Sequence, residues 1–167
     1  QADVVSGAPA RWRRSTLRPA VFLDRDGVLN KEVDLLHRLE DLELMPGVAQ
    51  AIRMLNRAGW LAVVITNQPV VARGLCTEVE LDRIHRRLET LLGREGAYLD
   101  GLYYCPHHPE QGFANVPSAY RIDCPCRKPK PGMIRQAAQE LPIDLASSYM
   151  IGDRDVDVQT GINAGLR

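Results

Sequence analysis

The sequence predicts an α/β fold in which a parallel β-sheet is covered by helices on both faces. Two observations support this prediction. Short apolar runs typical of buried strands begin at four places, namely Ala20, Leu61, Gly101 and Ser148. Segments with apolar residues at helical spacing separate most of these runs, and this alternation favours parallel strands joined by helices. The carboxyl ends of the strands would then lie at one edge of the sheet, where α/β proteins place their functional groups.

Two strands and two helices are predicted in the first half of the chain. The strands are residues 20–23 and 61–65, both uninterrupted apolar runs. The first helix starts after Pro46-Gly47 and ends at Gly59, and its apolar stripe consists of Val48, Ala51, Ile52 and Leu55. The second begins at a capping box formed by Thr77 and Glu80, and its apolar residues at helical spacing are Leu81, Ile84, Leu88 and Leu91.

The second half contains two further strands and one predicted helix. Residues 101–104 form the third strand, and an irregular stretch follows over residues 105–129. Pro131 suits the first turn of a helix, whose apolar face consists of Ile134, Ala137, Ala138 and Leu141. The fourth strand, residues 148–151, ends in Gly152-Asp153.

Length and charge restrict the classes of protein to consider. The 167 residues suit one domain, which we expect over residues 20–167 after a linker or tail at 1–19. Lys plus Arg and Asp plus Glu both number 21, so no net charge attracts nucleic acid or an anionic membrane surface. No apolar run approaches the ~20 residues that span a bilayer, and no signal segment opens the chain. We therefore expect a cytoplasmic protein without a nucleic-acid or membrane partner.

Polar residues follow three of the predicted strands: Asp24 and Asp26, Thr66-Asn67-Gln68, and Asp153. In a parallel sheet these strand ends converge. Three carboxylates gathered there would repel one another unless they shared a cation, and oxygen ligands with room for water suit Mg²⁺. Taken singly, each motif is equally consistent with a turn whose side chains are solvated.

Phosphate is the group that most often needs Mg²⁺ in such a site. Thr66 can donate a hydroxyl hydrogen bond, and the Arg127-Lys128 pair can place positive charge beside phosphoryl oxygens. A solvated basic loop is the alternative for Arg127-Lys128. Together with the strand-end carboxylates, these residues predict a phosphate site.

Three of the four cysteines lie close together along the chain: Cys105, Cys124 and Cys126. In a reducing compartment such clustering favours metal binding over a disulfide. Three thiolates and one imidazole, from His107 or His108, would form a closed tetrahedral zinc site of structural type. The alternative is free buried cysteines with surface histidines. Cys76 stands apart and is interpreted as a small apolar residue.

The chain resembles phosphatases of the haloacid dehalogenase superfamily. The four superfamily motifs occur in order, as Asp24-Arg25-Asp26-Gly27-Val28, Thr66, Lys128, and Gly152-Asp153 with Asp157. Further segments resemble the heptose 1,7-bisphosphate 7-phosphatases, namely residues 22–30, 66–68, 72–74, 104–109 and 126–129. The histidinol-phosphate phosphatases are close relatives of that family. The resemblance implies a Rossmann-like haloacid dehalogenase fold without a large cap domain and with a zinc-binding loop at residues 105–126.

The resemblance also implies a role for each site residue. Asp24 would be the nucleophile that forms an aspartyl-phosphate, and Asp26 the general acid and base. The Mg²⁺ ligands would be Asp24, the backbone carbonyl of Asp26, and Asp153. Thr66 and Lys128 would stabilise the transferring phosphoryl group, while substrate contacts would come from Asn67, Gln68, Arg127 and Arg154. The zinc ligands would be Cys105, His107, Cys124 and Cys126.

The implied function is removal of the 7-phosphate of D-glycero-D-manno-heptose 1,7-bisphosphate, in nucleotide-activated heptose biosynthesis. Histidinol-phosphate hydrolysis is the alternative; a nucleic-acid 3′-phosphatase and a non-catalytic zinc-stabilised binding module are further ones. We expect a monomer, fused to or working beside a sugar nucleotidyltransferase. Two segments depart from the family pattern. Pro69-Val70 replaces a common Ser-Gly, which stiffens the turn and removes a hydroxyl near the substrate, so the preferred anomer of the sugar is left open. The side chains of residues 32–35 differ from the family's substrate loop, so this segment is not assigned to the site.

Overall fold

The structure is a computed structural model that describes residues 14–110 and 116–167. In these residues four parallel strands form one sheet: β1 (Ala20–Leu23), β2 (Leu61–Asn67), β3 (Gly101–Cys105) and β4 (Tyr149–Ile151). They lie in the order β3-β2-β1-β4. The prediction of a parallel α/β sheet is therefore confirmed.

Four α-helices accompany the sheet in the described residues: α1 (Val48–Arg57), α2 (Glu78–Arg94), α3 (Gly132–Glu140) and α4 (Asp155–Asn163). The predicted capping box at Thr77 and Glu80 begins α2. Leu141, predicted on the face of α3, instead lies just past its end in extended conformation. The helix α4 was not predicted from the sequence. Its large apolar residues Val158 and Ile162 are exposed, so it carries no apolar stripe.

Alternate residues of the central strands pack on opposite faces of the sheet. Val21 and Leu23 of β1 join the core formed with α1 and α2, while Ala20 and Phe22 join the core formed with α3. A strand buried on both faces needs apolar residues at every position, which explains the uninterrupted apolar runs in the sequence. The prediction of helices on both faces is confirmed.

Two strands run further than predicted, and this changes the setting of the site residues. Thr66 pairs with Tyr104, and Asn67 pairs with Cys105. The prediction that Thr66 and Asn67 follow β2 is therefore wrong, because β3 continues to offer a hydrogen-bonding partner as far as Cys105. The backbones of both residues are therefore fixed by pairing within the sheet.

The described part of the predicted N-terminal tail lies against the domain. The Arg18 amide donates to the Pro142 carbonyl at 2.8 Å, and Arg18 Nε donates to the Gly59 carbonyl at 2.8 Å. Residues 1–13 of that tail lie outside the described residues. Over residues 14–110 and 116–167, none of the helices has the length and apolar character that a membrane crossing requires.

Candidate active site

Asp24 lies at the carboxyl end of β1, between β2 and β4. Its amide donates to the Ile151 carbonyl at 3.0 Å, so the sheet fixes its backbone. One carboxylate oxygen, Oδ1, accepts the Arg25 amide at 2.8 Å and lies 3.0 Å from Lys128 Nζ. The Asp24 carboxylate is therefore held in place from two sides.

Lys128 is buried and bridges two carboxylates. Its Nζ lies 3.0 Å from Asp24 and 2.6 Å from Asp157. Asn67 fixes the backbone of the lysine, because its Oδ1 accepts the Lys128 amide at 2.9 Å and its Nδ2 donates to the Lys128 carbonyl at 3.2 Å. The Asn67 amide, predicted as a substrate contact, thus positions the lysine in this structure.

Three carboxylates come together beside Lys128. Asp24, Asp153 and Asp157 each offer an oxygen, and these oxygens lie within 4.8 Å of one another. Gly27 makes this approach possible: its φ is +79°, and a Cβ there would collide with the Asp153 carboxylate. Burial raises the pKa of Asp24, with Asp157 adding to the effect and Lys128 opposing it. Hard oxygen ligands in this number suit Mg²⁺.

The Asp26 carboxylate is directed to a separate group of donors. Oδ1 accepts Asn30 Nδ2 at 2.9 Å, and Oδ2 accepts Gln68 Nε2 at 2.8 Å. The Arg25 guanidinium contacts both oxygens, at 2.8 and 3.2 Å. Burial opposes ionisation, yet Arg25 and these hydrogen bonds together lower the pKa of Asp26. The two aspartates of the first motif therefore have different environments, as different chemical roles require.

Gln68 connects Asp26 with Thr66. Its Nε2 also donates to Thr66 Oγ1 at 2.9 Å. Because that bond uses the hydroxyl oxygen as acceptor, the hydroxyl proton of Thr66 stays available to an anion in the site. Gln68 is itself almost fully buried, so most of its side chain serves as a wall of the site.

A cavity of about 460 Å³ opens above these residues. Asp24, Asp26 and Lys128 lie along its wall, together with arginines from three different segments, Arg73, Arg127 and Arg154. Glu32 and Asp34, whose segment was not assigned to the site from the sequence, line the same cavity. Glu32 Oε2 lies 3.7 Å from Arg154 Nη2. The cavity therefore combines a cationic side with an acidic loop.

The three clustered cysteines converge with His107. Their Sγ atoms lie 3.0 to 3.4 Å apart, and His107 Nδ1 lies 3.5 Å from Cys105 Sγ and 3.3 Å from Cys126 Sγ. His108 points elsewhere, since its Nδ1 accepts the Glu110 amide at 3.1 Å. Arg127 Nη1 donates to the His107 carbonyl at 3.3 Å. The cysteine and histidine cluster is thus joined directly to the arginine that lines the cavity.

Known proteins show the same combination of sequence and fold. The HAD-hydrolase-like family model matches residues 125–167. D-glycero-D-manno-heptose-1,7-bisphosphate 7-phosphatase of Thermosynechococcus vestitus is 48% identical over 89% of this chain and 76% of its own length. The corresponding β-heptose enzyme of Escherichia coli K12 is 40% identical over 89% of this chain and 75% of its own length. The chain belongs to the heptose 1,7-bisphosphate 7-phosphatase family.

A solved structure extends this likeness to three dimensions. The D,D-heptose 1,7-bisphosphate phosphatase of B. bronchiseptica, crystallised with magnesium and phosphate, superposes with a TM-score of 0.76 and 36% identity. The match covers 89% of this chain and 77% of that one. The predicted resemblance of this chain to heptose bisphosphate phosphatases of the haloacid dehalogenase superfamily is therefore confirmed.

Some residues at the candidate site had no role predicted from the sequence. Arg25 and Asn30 hold Asp26, while Glu32 and Asp34 line the cavity. Arg25 did carry a signal, since an arginine directly after a buried strand has to find a partner for its charge. Glu32 and Asp34 carried none, because their place depends on the path of the loop after β1.

Proposed function

We propose that this chain is a Mg²⁺-dependent phosphatase that removes the 7-phosphate of D-glycero-D-manno-heptose 1,7-bisphosphate, for nucleotide-activated heptose biosynthesis. One observation carries the proposal: Asp24 and Lys128 lie at the wall of a cavity rich in arginine, and the carboxylates of Asp153 and Asp157 meet that of Asp24 beside it. The named relatives, 40 to 48% identical, support the choice of sugar. The net charge of zero favours a small substrate over a nucleic acid.

The charges at the site support Mg²⁺ as the catalytic ion. Asp24, Asp153 and Asp157 bring three negative charges, and Lys128 offsets one of them. A divalent cation would offset the other two. We propose that Asp24, the backbone carbonyl of Asp26, and Asp153 hold this ion. When bound, it neutralises charge between the nucleophile and the phosphate, so that two anions can approach.

The side chains then divide the reaction between them. Asp24 attacks phosphorus, the bond to the sugar oxygen breaks, and Asp26, which the charge of the bound phosphate favours in its protonated form, gives that oxygen its proton. In the second step water attacks the aspartyl-phosphate, Asp26 accepts the proton, and inorganic phosphate leaves as the Asp24 carboxylate is regenerated. Thr66 and Lys128 stabilise the charge on the transferring group throughout.

The outer cavity suits a second phosphate. Arg127 and Arg154 line the cavity beside Lys128, and guanidinium groups bind phosphate oxygens in pairs. We propose that these two arginines contact the substrate beyond its reacting phosphate. Asn67 and Gln68 line the same cavity, and we propose that they act mainly by holding Lys128 and Thr66.

The first prediction concerns substrate choice. With Mg²⁺ present, we expect kcat/KM for at least one anomer of heptose 1,7-bisphosphate to exceed that for histidinol phosphate by about 100-fold, close to 2.7 kcal/mol. Histidinol phosphate has one phosphate and a cationic amine, which Arg127 and Arg154 would repel. Phosphate release from both anomers, histidinol phosphate and a 3′-phosphorylated oligonucleotide is measured side by side. Faster turnover of either of the last two would overturn the assignment.

We propose that the cysteine cluster binds a structural Zn²⁺ through Cys105, His107, Cys124 and Cys126. Four protein ligands leave no open position for a reacting group. Burial raises the pKa of the Cys105 thiol, and a bound cation would favour the thiolate that a zinc ligand must supply. The chain runs directly from the cluster into Arg127 and Lys128, so the metal would position catalytic charge indirectly.

The second prediction tests this positioning role. Cys124→Ser is expected to lose zinc and at least about tenfold in kcat/KM, as loss of support for a metal site typically causes. Zinc content by mass spectrometry is compared with heptose bisphosphate turnover at saturating Mg²⁺. Cys76→Ser is the control, because Cys76 is also buried but lies outside the cluster. Full activity without zinc would refute the positioning role.

The remaining expectations stay predictions. A monomeric state, a cytoplasmic location, and fusion to or cooperation with a sugar nucleotidyltransferase are consistent with a small phosphorylated sugar as substrate. Size-exclusion chromatography with light scattering tests the first of these directly.

A further inference from the structure

Arg25 is the largest fully buried side chain in the described part of the chain. Its guanidinium lies between the Asp26 carboxylate and the imidazole of His85, a residue of α2 that is 60 positions away. On one side, Nε and Nη2 contact Asp26 at 2.8 to 3.2 Å. On the other side, Nη1 lies 3.1 Å from His85 Nε2.

The protonation of His85 follows from this geometry. A guanidinium has only donors, so the Nε2 atom beside it must be the acceptor and the proton must reside on Nδ1. Burial and the nearby charge of Arg25 lower the pKa of His85 to about 3, which agrees with a neutral ring. His85 therefore serves Arg25 as a hydrogen-bond acceptor.

The fold holds His85 itself in place. Its neighbours on α2, Ile84 and Leu88, are fully buried in the core beneath the sheet. The imidazole packs against the Tyr104 ring, with centroids 5.4 Å apart. The Tyr104 hydroxyl in turn donates to Glu78 at 2.8 Å. The side of the Arg25 guanidinium that faces away from Asp26 is thus held by α2. This helix contributes no side chain to the wall of the cavity.

We infer that Arg25 and His85 are positioning residues that set the orientation of the Asp26 carboxylate for proton transfer. The inference rests on the proposed function, in which Asp26 is the acid and base. Arg25 is completely buried, so it acts through Asp26 and does not touch the substrate. Asn30 and Gln68 each give Asp26 one bond, whereas Arg25 contacts both oxygens and fixes the plane of the carboxylate.

Such a role predicts a dependence on the leaving group. A sugar oxygen is a poor leaving group and needs the proton from Asp26 as its bond to phosphorus breaks. The p-nitrophenolate ion leaves without a proton, so a misplaced Asp26 spares the first step with p-nitrophenyl phosphate. Hydrolysis of the aspartyl-phosphate still needs Asp26 to accept a proton from water. With the aryl substrate, the intermediate should therefore accumulate.

The third prediction compares His85→Leu with His85→Gln, whose Oε1 can replace Nε2 as the acceptor. We expect His85→Leu to lower kcat for heptose bisphosphate about 10- to 100-fold with KM within about threefold, as misplacement of a catalytic group does. His85→Gln should recover most of this loss. With p-nitrophenyl phosphate, His85→Leu should show a rapid burst of p-nitrophenolate followed by slow turnover.

A further variant and a control test whether the effect is only a folding defect. Arg25→Met/His85→Leu leaves the Asp26 carboxylate without its cationic partner, so it should show the same burst at a lower unfolding free energy. Arg86→Met on the exposed side of α2 is the control and should behave as wild type. Thermal unfolding is measured for every variant.

Three results would overturn the inference: unchanged kcat in His85→Leu, a loss that His85→Gln does not repair, or a slow first step with the aryl phosphate. Failure of the wild-type chain to hydrolyse heptose bisphosphate would instead overturn the proposed function, and the aryl phosphate would still test the pair.

Discussion

Replacing Asp24 with asparagine is expected to abolish phosphate release, with a fall in kcat on the order of 10⁵-fold, as loss of a covalent nucleophile causes. The carboxamide has the same shape but neither attacks phosphorus nor carries charge. The variant should remain folded, because Lys128 keeps its 2.6 Å contact with Asp157. Phosphate release is measured with saturating heptose bisphosphate and Mg²⁺.

A covalent intermediate makes this test more specific. In the wild-type chain, rapid acid quenching should leave phosphate on the peptide that contains Asp24, and mass spectrometry detects it. Asp24→Asn should leave none. Asp82→Asn is the matched control, since Asp82 lies on the exposed side of α2 and pairs only with Arg86 among the contacts described. Retained turnover in Asp24→Asn would exclude the aspartyl-phosphate route.

The parts of the fold that the sequence predicted are those whose pattern follows from burial. β1 and the first five residues of β2 are buried on both faces, and this requires continuous apolar runs. The helix α4 was not predicted, because its buried positions are not marked by apolar residues. Its buried residues include Asp157 and Thr160, while Val158 is exposed. The helix therefore contributes the polar side chain of Asp157 to the site, and no large apolar side chain that is fully buried in the core.

The site was predictable where function depends on residues next to a strand end. Asp24 and Asp153 were found in this way, because the topology of a parallel sheet brings such residues together. The contact between Arg25 and His85 was not, since it joins residues 60 positions apart. In the sequence His85 is simply one residue of a helix.

Asn67 shows a different limit. A polar residue at a strand end suggests a substrate contact; in the structure Asn67 lines the cavity and also directs its amide to the backbone of Lys128. Only the path of the loop before Lys128 reveals this use. A role in positioning and a role in binding have the same appearance in a sequence.

Lys128→Met is expected to damage both activity and stability. The lysine side chain is only 2% exposed, and those of its partners Asp24 and Asp157 are 13% and 1% exposed. Without its charge these buried carboxylates face each other unpaired, which costs about 3 kcal/mol of unfolding free energy. Loss of charge beside the transferring phosphoryl group lowers kcat/KM on the order of 10³-fold. Urea unfolding and phosphate release measure the two effects.

A second substitution separates these two effects. Lys128→Met/Asp157→Asn removes one negative charge together with the positive one, so the unfolding free energy should recover by about half or more. Activity should stay low, because no cation replaces the lysine beside Asp24. Lys31→Met is the control: Lys31 is about half exposed and pairs with the exposed Glu43, an ion pair worth at most about 1 kcal/mol. Recovery of activity in the double variant would mean that Lys128 only balances the charge of Asp157 and takes no part in phosphoryl transfer.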